Sequence, residues 1–375
     1  MTPSADTAPR IAIFASFSGK GGVERMLLNL AEGFDGLGCR VDLLMVKSSS
    51  LHLETLPRGL NIIKLRAHHT LTSLPELTDY LRRARPDALL AAKDRANQVA
   101  ILARRLSGTA TRLALRMGTH TSAAIAGKGG VKKALWYLPI RLLYREADAI
   151  VAVSEGVKKD LVRITGLPPA RITVIANPVV SPRIYTLAAA PNPHPWLDDT
   201  RVPVILAAGR LTRQKDFATL VRAFAKLRAI RDCRLIILGD GRDREKLMSL
   251  AKELTVDRFV ALPGFTLNPH AYIGRAALFV LSSLWEGSPN VLTEALALGT
   301  PAVATDCPSG PREILKYGAI GRLVPMGDPD ALAAAMLATL SEPPDEALLK
   351  GAVRDHTIES SSRRYLDLLL GRTVP

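Results

Sequence analysis

Cysteine is scarce and scattered. Cys39, Cys233 and Cys307 stand far apart with no Cys-x-x-Cys, which argues against a disulfide framework and offers no zinc pattern. Aromatic residues are 5% of the chain, with no run suited to stacking bases and no recognisable nucleic-acid module, so no nucleic acid is expected as a partner. No apolar stretch reaches the roughly eighteen residues a spanning helix needs, and the opening MTPSADTAPR lacks the apolar core of a signal peptide. A protein of the reducing cytoplasm is expected. Neither a Ser-His-Asp arrangement nor metal-ligand spacing appears, so no metal and no cofactor are expected.

What is present is apolar and periodic. The 375 residues are 47% hydrophobic, enough for two domains with their own cores. Strand-like runs alternate with amphipathic helical stretches twice over, the pattern of parallel α/β domains. The first series is Ile11–Phe17, Val41–Val46, Ala88–Ala92, Arg112–Leu115, Ala149–Val153 and Ile172–Ile175, and the second is Val204–Ala208, Arg234–Leu238, Arg258–Leu262, Ala277–Leu281 and Pro301–Thr305. Between them lies LAAAPNPHPWLDDT, rich in proline, which reads as surface loop. The expectation is an α/β fold of two Rossmann-like, doubly wound domains: residues 1–185, a linker over 186–202, residues 203–352, and a helical segment over 353–375. Ligand belongs at the carboxyl ends of such strands.

The first strand runs into SGKGGVER, residues 18–25. A phosphate-cradling P-loop closes on Gly-Lys-Ser/Thr, because lysine reaches the terminal phosphates and the hydroxyl holds magnesium. Here the closing triplet is Glu24-Arg25-Met26. ATP is therefore not the expected ligand, and what remains is a Gly-Gly turn, Gly21-Gly22, feeding a helix whose free amides suit another polar group.

The second half carries the most specific chemistry. In GRLTRQKDF, Gly209 follows a buried strand, and Arg210 and Lys215 put two cations near its end. In WEGSPNVLTEALALGTP a loop bearing Glu286 leads into a helix bearing Glu294. Free amides and the helix dipole suit an anion, and carboxylates at the edge accept from sugar hydroxyls. GRLTRQKDF, LGDGRDREKL, GFTLNP, EGSPNVLTEALALGTPAVATD and GRLVPMGDPDAL, in that order, resemble the donor half of retaining glycosyltransferases of family 4, which have the GT-B fold of two domains facing across a cleft. The first half carries weaker pieces, GGVERMLLNLA, ADAIVAVSEGVKKDL and VIANPV.

The resemblance implies roles residue by residue. Arg210 and Lys215 grip the diphosphate of a nucleoside diphosphate sugar, most simply a UDP-sugar, and stabilise its charge as the glycosidic bond breaks, without a metal. Glu286 contacts the transferred sugar and Glu294 the ribose. Gly287, Ser288, Asn290 and Val291 seat sugar and phosphate. Phe265 and Thr266 line the base. Gly21 and Gly22 face the donor phosphates, and the C-terminal helix packs back on the first domain. His120, in LRMGTHTS, is a candidate catalytic residue of the acceptor half, with Arg116 beside it in sequence. Asp306 and Glu313 either orient donor-side groups or cap the following helix, and Asn177 holds the crossover between domains.

The acceptor is read from charge. Of the net +15, residues 1–180 carry +12, which suggests an anionic partner. Residues 131–145 mix Leu135, Trp136, Leu138 and Leu142 with Lys132, Lys133, Arg141 and Arg145, the composition of a helix lying on a membrane surface; the competing reading packs its apolar side on the core, and Pro139 is expected to break or kink it. A lipid-linked or cell-surface glycan acceptor follows, with the protein peripheral on the inner face of the cytoplasmic membrane. The alternatives are a sugar-nucleotide epimerase or hydrolase on the same fold, and a basic nucleic-acid binder.

Overall fold

A computed structural model describes residues 8–17, 22–46 and 59–372; of the residues singled out above, Gly21 lies outside them. The chain divides into two compact units, residues 1–179 with 356–375, and residues 180–355.

In the first unit the strands are β1 (Arg10–Ser16), β2 (Arg40–Val46), β3 (Asn61–Lys64), β4 (Ala88–Ala92), β5 (Arg112–Met117), β6 (Ala149–Ala152) and β7 (Ile172–Val174). They form one parallel sheet in the order β3-β2-β1-β4-β5-β6-β7. The helices are α1 (Gly22–Gly36), α2 (Leu74–Ala84), α3 (Asp94–Ser107), α4 (Thr121–Ala124), α5 (Gly130–Leu143) and α6 (Glu155–Thr165). Successive strand residues face opposite sides, and β1 serves two cores. Ala12 and Phe14 join a cluster with α2, α3, α5 and α6, whereas Ile11, Ile13 and Ala15 join one with α1 and with Tyr365, Leu366 and Leu369. The run is apolar throughout because both faces are covered.

The C-terminal helix, Ile358–Leu369, thus belongs to the first unit as expected. It packs on α1 so closely that a Cβ at Gly33 would stand 1.9 Å from Ser362 Oγ. Any side chain there would push the helices apart.

In the second unit the strands are β8 (Val204–Ala208), β9 (Arg234–Leu238), β10 (Val260–Gly264), β11 (Leu278–Leu281), β12 (Ala302–Thr305) and β13 (Arg322–Val324), ordered β10-β9-β8-β11-β12-β13 and all parallel. Its helices include α7 (Pro182–Ala188), α8 (Phe217–Arg228), α9 (Arg244–Glu253), α10 (His270–Ile273) and α11 (Asn290–Ala297). Again β8 divides its side chains, Ile205 and Ala207 toward α8 and α9, Val204 and Leu206 toward α10 and α11. Both sheets reverse their winding once, at β1/β4 and at β8/β11, and in such sheets the crevice outside the strand ends at that reversal takes ligand.

The stretch expected to be a linker, 186–202, is packed instead, and the units change at Val179/Val180. Ile184 and Leu197 are buried in the second unit. Arg275 donates to the carbonyls of Ala188 and Ala190 at 2.8 and 2.7 Å, and Asn268 Nδ2 to that of Leu187 at 2.8 Å. Side chains from α10 and its flanks thereby satisfy the carbonyls of a segment whose prolines spoil regular pairing.

Candidate active site

In the second unit the strand ends at the β8/β11 reversal are tied together by side chains. Gly239, with φ +128°, lies where a Cβ would come within 2.0 Å of the Gly209 carbonyl oxygen, so only glycine lets the ends of β8 and β9 approach. At Gly209 a Cβ would meet the stem of Lys215 at 2.7 Å. Freed of that clash, Lys215 folds back along the strand end.

Lys215 Nζ meets Glu286 Oε1 at 2.6 Å, with both side chains largely buried. Ser283 Oγ donates to the same oxygen at 2.7 Å, and Ser309 Oγ to the Glu286 carbonyl at 2.7 Å. Two further bonds hold the lysine loop to the glutamate loop: Ser282 Oγ to the Lys215 carbonyl at 2.7 Å, and Gln214 Nε2 to the Trp285 carbonyl at 2.9 Å. Glu286 Oε2 has no hydrogen-bond partner among the described residues. The site therefore offers a desolvated ammonium and an open carboxylate oxygen side by side, held by neutral donors. Arg210 is exposed, its Nη2 3.5 Å from Gln214 Oε1.

Gly287 and Ser288 continue this loop, and Asn290 and Val291 open α11, whose N-terminal dipole favours negative charge. Glu294, one turn on, is buried rather than solvated, its Oε2 3.8 Å from His270 Nε2. Phe265 and Thr266 directly follow β10, where Thr266 Oγ1 accepts from Asn268 N at 3.1 Å. Asp306 is taken up by Arg312, so it neither caps the short helix Pro311–Ile314 nor is left open. Cys307 is buried beside Glu286, and burial first, then that carboxylate, pushes its thiol up to about 12. It is inert as a nucleophile.

The sequence reading missed Ser283, Ser309, Gln214 and His270 as supports. Serines and glutamines have no periodicity to betray them. Gly239 stood inside LGDGRDREKL but carried no signal of which backbone atom it must clear.

In the first unit the reversal at β1/β4 holds Lys93, whose φ of +81° is rare for a side-chain-bearing residue. Its Nζ donates to the Ser16 carbonyl at 2.6 Å and lies 3.8 Å from buried Glu24 Oε1. Strain of this kind gathers at functional sites. Gly22 opens α1 two residues before Glu24. Arg116 is fully buried, donating from Nη2 to Asn177 Oδ1 at 2.7 Å, so the crossover residue is clasped by the end of β5. His120 caps α4: Nδ1 accepts from Ala123 N at 3.3 Å and lies 3.4 Å from Asp160 Oδ2. Burial, opposed by Asp160 and reinforced by Arg163, holds its pKa below the ordinary imidazole value.

Helix α5 runs unbroken through Pro139, contrary to the expected break. At about 100° per residue, Val131, Leu135, Leu138 and Leu142 form one stripe, and they are 77, 65, 51 and 60% exposed, while Ile140 on the opposite side is buried. The stripe does not pack on the core. Among the described residues no helix is long and apolar enough to cross a membrane, and no group of three or more His, Cys, Asp or Glu side chains could hold a metal ion.

Two family models match adjoining parts of the chain: Glycosyltransferase Family 4 over residues 20–181 and Glycosyl transferases group 1 over residues 202–342. An N-acetylgalactosamine-N,N'-diacetylbacillosaminyl-diphospho-undecaprenol 4-alpha-N-acetylgalactosaminyltransferase of Campylobacter jejuni is 33% identical over 64% of this chain and 63% of its own length. A lipopolysaccharide 1,6-galactosyltransferase of Salmonella typhimurium is 32% identical over 48% of this chain and 49% of its own. The matched stretch thus spans about half to two thirds of these relatives. Among solved structures, Anabaena HepE in complex with UDP and glucose has a TM-score of 0.78 at 18% identity, covering 97% of this chain and 100% of that one. A glycosyltransferase from Rickettsia africae has a TM-score of 0.76 at 18% identity, covering 97 and 98%. With two parallel Rossmann-like sheets and both family models matched in order, the chain belongs to the glycosyltransferases of the GT-B fold.

Proposed function

We propose that the protein transfers a sugar from a nucleoside diphosphate sugar, a UDP-sugar first, to a glycan acceptor carried on a lipid. The observation that carries this reading is the Lys215–Glu286 pair at the β8/β11 reversal, with Arg210 beside it in the loop. Binding of donor places a diphosphate by the two cations and sugar hydroxyls by Glu286 Oε2. As the bond from the anomeric carbon to the phosphate oxygen breaks, negative charge grows on the leaving diphosphate, and Lys215 and Arg210 stabilise it, the work a divalent metal does in other sites. Glu294 and the loop through Asn290 hold the ribose and phosphate, and Phe265 and Thr266 flank the base.

Among the described residues no carboxylate is placed as an evident covalent nucleophile, so retention is assigned to same-face attack. The acceptor oxygen bonds the anomeric carbon, the nucleoside diphosphate departs, and the acceptor proton passes to the departing phosphate oxygen. The Campylobacter relative is named for a diphospho-undecaprenol substrate and the Salmonella relative for lipopolysaccharide; both support a lipid-borne acceptor. The exposed α5 stripe, with Lys132 beside it on the helix, supports peripheral docking on an anionic membrane, on the cytoplasmic face of the inner membrane. The test is incubation with a panel of nucleotide sugars and a lipid-linked glycan extract, following released nucleoside diphosphate and product. Transfer only with acceptor present upholds it. Nucleotide release without transfer, or conversion of donor alone, means a hydrolase or epimerase.

A further inference from the structure

We propose that His270 is a positioning residue for Glu294, holding its carboxylate for the ribose hydroxyls and so making the site selective for ribonucleotide donors; this rests on the ribose contact of Glu294 in the proposed function. Both side chains are buried, 3 and 2% exposed, with His270 Nε2 3.8 Å from Glu294 Oε2. A carboxylate so deep is rarely found unpaired, and α10 brings a basic side chain to it. At 3.8 Å the contact is electrostatic rather than a formed hydrogen bond, and the low dielectric of the interior strengthens it. An imidazole can present an N–H at Nε2 whether neutral or charged.

His270 is fixed from both sides. It opens α10, and that short helix is held beside the end of α11 by Thr300 Oγ1, which donates to the Ile273 carbonyl at 2.7 Å. On the other side Asn268 locks the turn that leads into α10. Its N donates to Thr266 Oγ1 at 3.1 Å, its Oδ1 accepts from Ala271 N at 3.4 Å, and its Nδ2 donates to the Leu187 carbonyl at 2.8 Å. Thr266 is the residue assigned to the base. One turn, residues 266–270, thus carries a base contact at its start and the support of the ribose contact at its end.

A glutamate accepts from two vicinal hydroxyls when its carboxylate plane is set, because each oxygen must meet one donor. Its side chain has several turning bonds, and fixing them before the donor arrives lowers the ordering cost of binding. A nucleotide that lacks the hydroxyls gains nothing from this.

The experiment measures the dissociation constants of the full chain for UDP and for 2′,3′-dideoxy-UDP, in wild type, His270→Phe and His270→Asn. Phenylalanine keeps a flat ring without an N–H, and asparagine keeps an amide that falls short of Glu294. Wild type should prefer UDP. Each variant should cut that preference about tenfold through weaker UDP binding, a coupling of ordinary size for groups in contact, with dideoxy-UDP affinity unchanged. A fall in both affinities by the same factor would make His270 a structural support alone, and an unchanged preference would detach it from the ribose. Either result overturns the proposal, and if His270→Phe does not fold, His270→Asn decides. Wild type binding the two nucleotides equally would instead remove the ribose contact from the proposed function, and this inference with it.

Discussion

Lys215 Nζ lies 2.6 Å from Glu286 Oε1 across two loops separated by 71 residues of sequence. The pair sits where water is largely excluded, so each charge needs the other. Removing one partner and removing both should therefore have opposite signatures. Lys215→Ala should lower turnover about 10²–10³-fold, the loss of one electrostatic donor to a leaving group, and cost about 3 kcal/mol in stability by stranding Glu286. Lys215→Met with Glu286→Leu should recover most of the stability and none of the turnover. Urea unfolding beside kcat for the three variants checks it; recovery of turnover in the double variant would remove the pair from the chemistry.

Gly239→Ala should disable the donor site without touching a charge. Its Cβ would fall 2.0 Å from the Gly209 carbonyl at a φ of +128°, costing about 1–3 kcal/mol in backbone strain and pushing Arg210 and Lys215 off the β8 end. UDP affinity and melting temperature should both fall. An unchanged UDP affinity would show that this approach does not position the cations.

His120 gives a pH signature. Its folded pKa lies below the ordinary value of 6.5, so below about pH 6.5 the unfolded chain binds more protons than the folded one and stability falls as the solution is acidified. The side chains facing it are Asp160, Arg163, Lys133 and Arg141. His120→Asn keeps an acceptor for the Ala123 amide and removes the titration. It should lose less stability than wild type between about pH 7.5 and 5.5, measured by denaturant midpoint. An equal loss would mean His120 does not titrate differently on folding.

The exposed stripe makes a prediction about membranes that charge alone does not. Leu135→Gln, Leu138→Gln and Leu142→Gln together should leave the melting temperature within a few degrees of wild type, because the three side chains are more than half exposed, yet abolish sedimentation with anionic vesicles even at low salt. Each leucine sunk into the interface contributes about 1 kcal/mol or more. Loss of folding instead would return the stripe to the core.

Much of the architecture was legible because both sheets are buried on both faces, and buried parallel strands write themselves as apolar runs. The central strands β1, β4 and β8 match the expected runs within a residue or two. The edge strands β3 and β13 did not, since Asn61–Lys64 is largely exposed and Arg322–Val324 is three residues long. Proline content misplaced the boundary: Pro191, Pro193 and Pro195 resemble a linker, and the side chains that secure that segment, Asn268 and Arg275, lie some eighty residues on. Of the site, charged residues in motifs could be read, and their supports could not. Nothing local marks Ser283 as a donor to Glu286, or Lys93 as a residue held at positive φ.

The central claim, retaining transfer driven by side-chain cations, is tested most directly by proton NMR of the product formed from an α-linked UDP-sugar and a lipid-linked acceptor, with excess chelator present. The account predicts an α-linked product at an undiminished rate. A β-linked product, or transfer that stops with chelator and returns with magnesium, would contradict it.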